Sequence, residues 1–242
     1  MSPTTIENVL LNKISMKYNN TVMASFGETA MSALEKAANK YNKQFYLVVE
    51  GAIPTAENGR CCVIGELNDV PLTMLDAVKR YAPMAKAVVA AGTCAAFGGI
   101  SAALPNQTGC MSVKDVLALN SISALVVNLP SCPVHPTVLI QTLVSVILGN
   151  IPTLNPDNTP TTFYNTATIH DGCPRFTATK VTSPGVVGCY QNIGCNGPHT
   201  NMTTCRISKW NNGVNWCIDS ANTPCIGCSN SDFPTNPLNK IG

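Results

Sequence analysis

Ala87-Val88-Val89-Ala90-Ala91-Gly92-Thr93-Cys94-Ala95-Ala96-Phe97-Gly98-Gly99 is the stretch that decides the fold. Its first five residues are all apolar and leave no polar face, the pattern of a strand buried on both sides of a parallel sheet. The run stops at a glycine, and a thiol follows. Residues 45–49 and 125–129 form two more such runs. Helix patterns lie between them. Residues 27–41 put Ala30, Ala33, Leu34, Ala37 and Tyr41 on one face, with Glu28 early and Lys36 and Lys40 late. Residues 71–80 open with Pro71, a favourable first helical residue. Residues 112–119 open with Ser112 and Asp115, a variant of the capping box. Residues 136–148 carry Leu139, Leu143, Val146 and Ile147, and stop at Gly149 with Pro152 beyond. Strands alternating with helices predict an α/β fold over residues 1–150, a flavodoxin-like doubly wound parallel sheet.

The composition changes near residue 150. Residues 151–242 are rich in Asn, Thr, Pro, Gly and Cys and poor in apolar runs, so apolar burial alone cannot order them. An irregular second domain held by its cysteines is expected there. Of the 242 residues, 45% are hydrophobic and only 12% charged, which leaves a charge-poor surface suited to cover by a partner protein. The net charge of +2 and the lack of a Lys/Arg cluster argue against a nucleic-acid partner. The longest uncharged stretch, residues 87–113, is interrupted by Gly92, Gly98 and Gly99 and lacks bulky lipid-facing side chains, so no membrane span is expected. The start at Met1 is polar and carries no secretory signal.

Seven of the twelve cysteines fall between residues 173 and 228: Cys173, Cys189, Cys195, Cys205, Cys217, Cys225 and Cys228. His170 stands three residues before the first. Seven thiols and one imidazole make eight ligands, the number needed by two cubane iron–sulfur clusters. Cys94 and Cys132 each end an apolar run upstream. A disulfide framework would give His170 no role. Structural zinc favours paired C-x2-C knuckles, and only Cys225-Ile226-Gly227-Cys228 has that form. The chain reads as a carrier of several redox centres.

Six motifs stand in order: Val49-Glu50-Gly51-Ala52-Ile53-Pro54, Gly92-Thr93-Cys94-Ala95-Ala96-Phe97-Gly98-Gly99, Pro130-Ser131-Cys132-Pro133, Ile169-His170-Asp171-Gly172-Cys173-Pro174-Arg175, Gly194-Cys195-Asn196-Gly197-Pro198 and Pro224-Cys225-Ile226-Gly227-Cys228-Ser229. Together they resemble the small subunit of nickel–iron hydrogenases, over nearly the whole chain from Pro3 to Phe233. The resemblance implies that His170, Cys173, Cys189 and Cys195 hold a distal 4Fe–4S cluster, nearest the external electron carrier. It implies that Cys205, Cys225 and Cys228 hold a medial cluster. Much of the family has proline at the fourth medial position and three irons. Here Cys217 stands there, which implies a 4Fe–4S medial cluster, as in the selenium-containing branch. Cys94 and Cys132 match two of the four ligands of a proximal 4Fe–4S cluster beside the large subunit. Glu50 matches an acidic residue near it; a hydrogen-bonding structural role is the alternative. Gly99 occupies the place where oxygen-tolerant members carry an extra cysteine, so ordinary oxygen sensitivity is expected. Cys61, Cys62 and Cys110 match no ligand and read as buried free thiols.

The family's first strand and its Cys-x-x-Cys loop, which supply the other two proximal ligands, have no counterpart before residue 1. Pro3-Thr4-Thr5-Ile6-Glu7-Asn8 resembles family sequence found shortly after that loop. In a 2-1-3-4-5 order the absent strand would leave two strand edges unpaired. Three explanations stand: a gene start assigned at an internal Met, a segment supplied by a separate polypeptide, or a remnant without a working proximal cluster.

The resemblance thus implies an enzyme subunit, a hydrogenase (H2:acceptor oxidoreductase) whose catalytic nickel–iron site lies on the large partner. This chain would relay electrons to an external carrier such as a cytochrome or ferredoxin, with none of its own residues catalytic. The alternative is a truncated, non-catalytic scaffold or assembly partner. The compartment would be periplasmic given an upstream export signal, and cytoplasmic otherwise.

Overall fold

The computed structural model describes residues 6–234, so Pro3-Thr4-Thr5, where the family resemblance begins, lies outside the described residues. The centre is a three-stranded parallel sheet. Its strands, in spatial order, are β1 (Tyr46–Glu50), β4 (Ala87–Ala91) and β5 (Val126–Leu129). Tyr46 aligns with Ala87 and Glu50 with Ala91; Val88 aligns with Val126 and Ala91 with Leu129. The three apolar runs are therefore neighbours, and β4, wholly buried, is the central one. In a 2-1-3-4-5 order they fill places 3, 4 and 5. Among the described residues the outer edge of β1 has no strand partner, and Val48 there is exposed.

The strand period of two sends alternate residues to opposite faces. Val88, Ala90 and Val126 pack with Val78 of α3 (Met74–Tyr81) and with Val113, Val116 and Leu117 of α5 (Val113–Leu119). Val89, Val127 and Leu129 pack with Val138 and Leu143 of α6 (Pro136–Ile147). Ser112 caps α5 as expected: its hydroxyl oxygen accepts from the Asp115 N–H and its O–H donates to the Asp115 carboxylate. The helix expected over 27–41 is α2 (Gly27–Lys40). A short α1 (Ile6–Asn12) precedes it, and α4 (Thr93–Phe97) follows β4.

The reading of residues 71–80 needs correction. Pro71 lies in β3 (Val70–Thr73), which pairs antiparallel with β2 (Val63–Leu67), and α3 begins only at Met74. Asn68 and Asp69, both left-handed at φ 54° and 62°, turn that hairpin, a conformation short polar side chains tolerate. Thr73 then caps α3 by accepting from the Asp76 N–H.

Residues 151–234 are irregular, with three single-turn 3-10 helices and the one-turn α7 (Thr204–Ile207). This segment is nevertheless anchored by a few large side chains. Tyr164, Met202 and Trp216, all nearly inaccessible to solvent, join the α6 face of the sheet. The Tyr164 hydroxyl donates to the Pro130 carbonyl. Asn158 and Asn128 lace residues 157–158 along the free edge of β5.

Candidate functional site

Cys94 and Cys132 emerge at the carboxyl edge of the sheet, where doubly wound folds build their sites. Gly92 (φ 87°) turns the chain out of β4; its N–H donates to the Leu129 carbonyl and the Thr93 N–H to the Ser131 carbonyl. These bonds set the two thiol-bearing loops side by side. Desolvation, and then the nearby Cys94 sulfur, push the Cys132 thiol up. Gly99 closes over Cys94: a Cβ added there would stand 2.9 Å from the Cys94 sulfur. Glu50 is exposed at the end of β1.

Cys205, Cys217, Cys225 and Cys228 form the next group, within electrostatic range of one another. Three of them hang from short segments of the irregular part, and Cys205 from α7. Burial, and then the Cys228 sulfur, push the Cys205 thiol far up, while a hydrogen bond from the Trp210 side chain opposes the rise. Burial pushes Cys225 up to about 12 and also raises Cys228. Buried thiols of this kind ionise where a cation replaces the proton, so the donor set suits soft metal–thiolate chemistry. Cys217 is exposed. The Cys225 sulfur lies 3.7 Å from the Thr200 hydroxyl.

His170, Cys173, Cys189 and Cys195 line one cavity, together with Arg175, Tyr190 and Pro224. The turn Ile169–Cys173 brings the imidazole and the first thiol to the same wall, with the His170 ring 4.8 Å from Phe176. The Arg175 N–H donates to the Cys173 sulfur at 3.4 Å, and the Arg175 guanidinium lies over the Tyr190 ring. The Cys225 N–H donates to the Cys195 sulfur at 3.4 Å, and the Asn196 N–H to the Cys225 carbonyl, so the second and third groups share a wall. All twelve cysteines are free thiols. Among the described residues no three His, Cys, Asp or Glu side chains converge on a single point, as one mononuclear ion requires. A cubane is bound differently, each corner iron taking its own ligand, and a set that lines a volume fits it.

Every sequence-predicted ligand thus falls into one of three neighbouring groups. Of the remaining cysteines, Cys110 is buried and bonded to Thr108, and Cys62 lies 4.0 Å from the Met74 sulfur. Cys61 is exposed, which corrects its reading as a buried thiol; it sits in the turn leading into β2. Sequence reasoning passed over Thr93, His135, Thr200 and Trp210, none of which can itself ligate iron through sulfur. His135 lies three residues after Cys132, which was the available signal.

Two family profiles match the chain. The profile for the NADH ubiquinone oxidoreductase 20 Kd subunit matches residues 2–146, and that for the C-terminal part of the NiFe/NiFeSe hydrogenase small subunit matches residues 164–239. The periplasmic NiFeSe hydrogenase small subunit of Desulfomicrobium baculatum is 42% identical, with 95% of this chain and 76% of the relative covered. The periplasmic NiFe hydrogenase small subunit 1 of Nitratidesulfovibrio vulgaris is 38% identical, with 94% and 71% covered. Among solved structures, the recombinant NiFeSe hydrogenase of Desulfovibrio vulgaris Hildenborough superposes with a TM-score of 0.87 at 41% identity, over 95% of this chain and 86% of that one. Among the described residues no helix is long and apolar enough to cross a membrane.

Proposed function

Because the chain belongs to the small-subunit family of nickel–iron hydrogenases, we propose that it is the electron-transfer subunit of a heterodimer whose large partner holds the nickel–iron site and splits dihydrogen. In this reading His170, Cys173, Cys189 and Cys195 hold the distal 4Fe–4S cluster. Cys205, Cys217, Cys225 and Cys228 hold a medial 4Fe–4S cluster. Cys94 and Cys132 supply two ligands to a proximal one. Bound clusters supply one-electron redox centres between the hydrogen site and an external carrier such as a cytochrome or ferredoxin.

The single observation that carries the reading is the succession of sulfurs. Cys132 lies within range of Cys228, Cys228 of Cys205 and Cys217, and Cys225 of Cys195, which opens on the His170 cavity. The chain's own work is to ligate, bury and hydrogen-bond. Backbone N–H groups of Arg175 and Cys225 point at ligand sulfurs, and the protein around Cys205 and Cys225 excludes water. Each of these contacts tunes a potential.

Iron and sulfide analysis of the anaerobically purified heterodimer tests the proposal. About twelve irons, at four per cubane, support the full relay. About eight would favour the second reading, a scaffold with no working proximal cluster, whose basis is that Cys94 and Cys132 are only two of the four ligands a cubane takes. A metal-free protein of native shape would overturn both.

A further inference from the structure

His135 is a buried histidine that no ligand role uses; only 2% of it is exposed. It stands at the N-terminus of α6, three residues after Cys132. Its Nδ1 accepts from the Thr137 N–H at 3.2 Å, so that nitrogen carries no proton. The proton therefore sits on Nε2, which donates to the Lys209 carbonyl at 2.9 Å, 74 residues away. The ring also packs on Trp210, with centroids 4.5 Å apart and planes tilted by 58°.

What this bond holds is a strained place. Lys209 is left-handed at φ 49°, a conformation that a residue with a Cβ keeps only when its surroundings fix it. Immediately after it, the Trp210 N–H donates to the Asn215 carbonyl and the Asn215 N–H returns to Trp210, closing the loop that leads to Trp216 and Cys217. Trp210 packs in the same cluster as Cys205 and Cys225, with its side chain near enough to the Cys205 sulfur to oppose the upward push of burial on that thiol. At the surface the loop has one further tether, the Lys209–Asp219 ion pair, which is solvent-exposed and weak.

We propose that His135 is a positioning residue for the medial centre: by fixing the Lys209–Trp210 turn it keeps the Trp210 indole N–H on the Cys205 sulfur, and so raises the reduction potential of the group that Cys205 helps to hold. The proposal rests on the assignment of Cys205, Cys217, Cys225 and Cys228 as ligands of one cluster. The physical reason is that a hydrogen bond to a ligand sulfur favours the more negative, reduced state. Histidine suits the place for three joint reasons: a donor for Lys209, an acceptor for Thr137 and a flat face for Trp210. Asparagine can keep the acceptor for Thr137, because its amide oxygen overlays Nδ1, but it stops short of the Lys209 carbonyl and offers no face to Trp210.

The test uses the anaerobic heterodimer and paramagnetic resonance during a redox titration. In Trp210→Phe the ring packing is kept and the N–H is lost. The medial midpoint should fall, with the reduced-to-oxidised ratio at the wild-type midpoint down by up to about tenfold, or about 59 mV for one electron. His135→Asn should move the same midpoint in the same direction while iron content and the distal signal stay at wild-type values. The double variant should fall no further than Trp210→Phe, because His135 acts through Trp210. A medial midpoint unmoved in Trp210→Phe, or additive shifts in the double variant, would overturn the proposal alone. A wild-type protein without iron would overturn the ligand assignment and this proposal with it.

Discussion

The Thr93 hydroxyl donates to the Cys228 carbonyl, joining residues 135 positions apart. Thr93 precedes Cys94 on the sheet edge, and Cys228 is the last of the central thiols. The Cys132 backbone also lies beside the Cys228 sulfur, where it holds that thiol down against the larger upward push of burial. The loop that bears Cys94 therefore grips the irregular segment at one of its central thiols, and the spacing between the first two thiol groups is set by a hydrogen bond as well as by the shared core.

Replacing Thr93 by valine should weaken that grip. Thr93 is almost fully buried, so the Cys228 carbonyl would be left without its partner at a cost of roughly 1–3 kcal/mol. Thr93→Ser keeps the hydroxyl and should lose much less. Thermal unfolding of the anaerobic protein distinguishes them; equal melting temperatures would show that the bond contributes nothing.

Gly99→Ala should destabilise the Cys94 loop. Gly99 is left-handed at φ 52°, and the added Cβ would lie within 3.1 Å of the Cys94 Sγ, N and Cα atoms. Strain of this kind costs roughly 1–3 kcal/mol. For the same reason Gly99→Cys should lower cluster occupancy at Cys94 and leave oxygen sensitivity unimproved. Inactivation half-life in air and iron content measure this, and a longer half-life would refute it.

Cys217→Pro should remove one ligand and about one iron, if the four central thiols hold a cubane. The oxidised variant would then give a strong three-iron resonance absent from the parent protein. Cys217 is exposed, so the substitution disturbs little packing. An unchanged spectrum would make Cys217 a bystander thiol.

The pH dependence of stability should carry the mark of His135. Burial holds its pKa below the ordinary imidazole value, outweighing the raising effect of its bond to Lys209. Below about pH 6.5 the unfolded chain takes up a proton that the folded chain refuses. Stability should therefore fall as pH drops from there towards the folded-state value, with a slope of at most about 1.4 kcal/mol per pH unit. His135→Asn should be flatter over the same window. Parallel melting curves for the two proteins between about pH 7.5 and 5.5 would refute the assignment.

Much of this molecule can be read in one dimension because its signals are local. An unbroken apolar run such as Ala87–Ala91 has no other good use than a buried strand, and Ser112 with Asp115 caps a helix within a single turn. The β2–β3 hairpin was legible too, in Asn68-Asp69, yet Pro71 suits a helix start equally well. Large anchors such as Tyr164, Met202 and Trp216 were hidden because they stand in apolar patches of one to three residues between polar stretches and show no period.

By itself the sequence determined the parallel sheet, the thiols at its carboxyl edge and the number and kind of soft donor side chains, because residue type and spacing along the chain carry that information. Only the tertiary structure decided which thiols share a wall, and that Thr93 reaches across to Cys228 and His135 to Lys209 and Trp210. Those contacts join residues far apart in the chain, and their geometry exists only once the irregular segment has packed on the sheet.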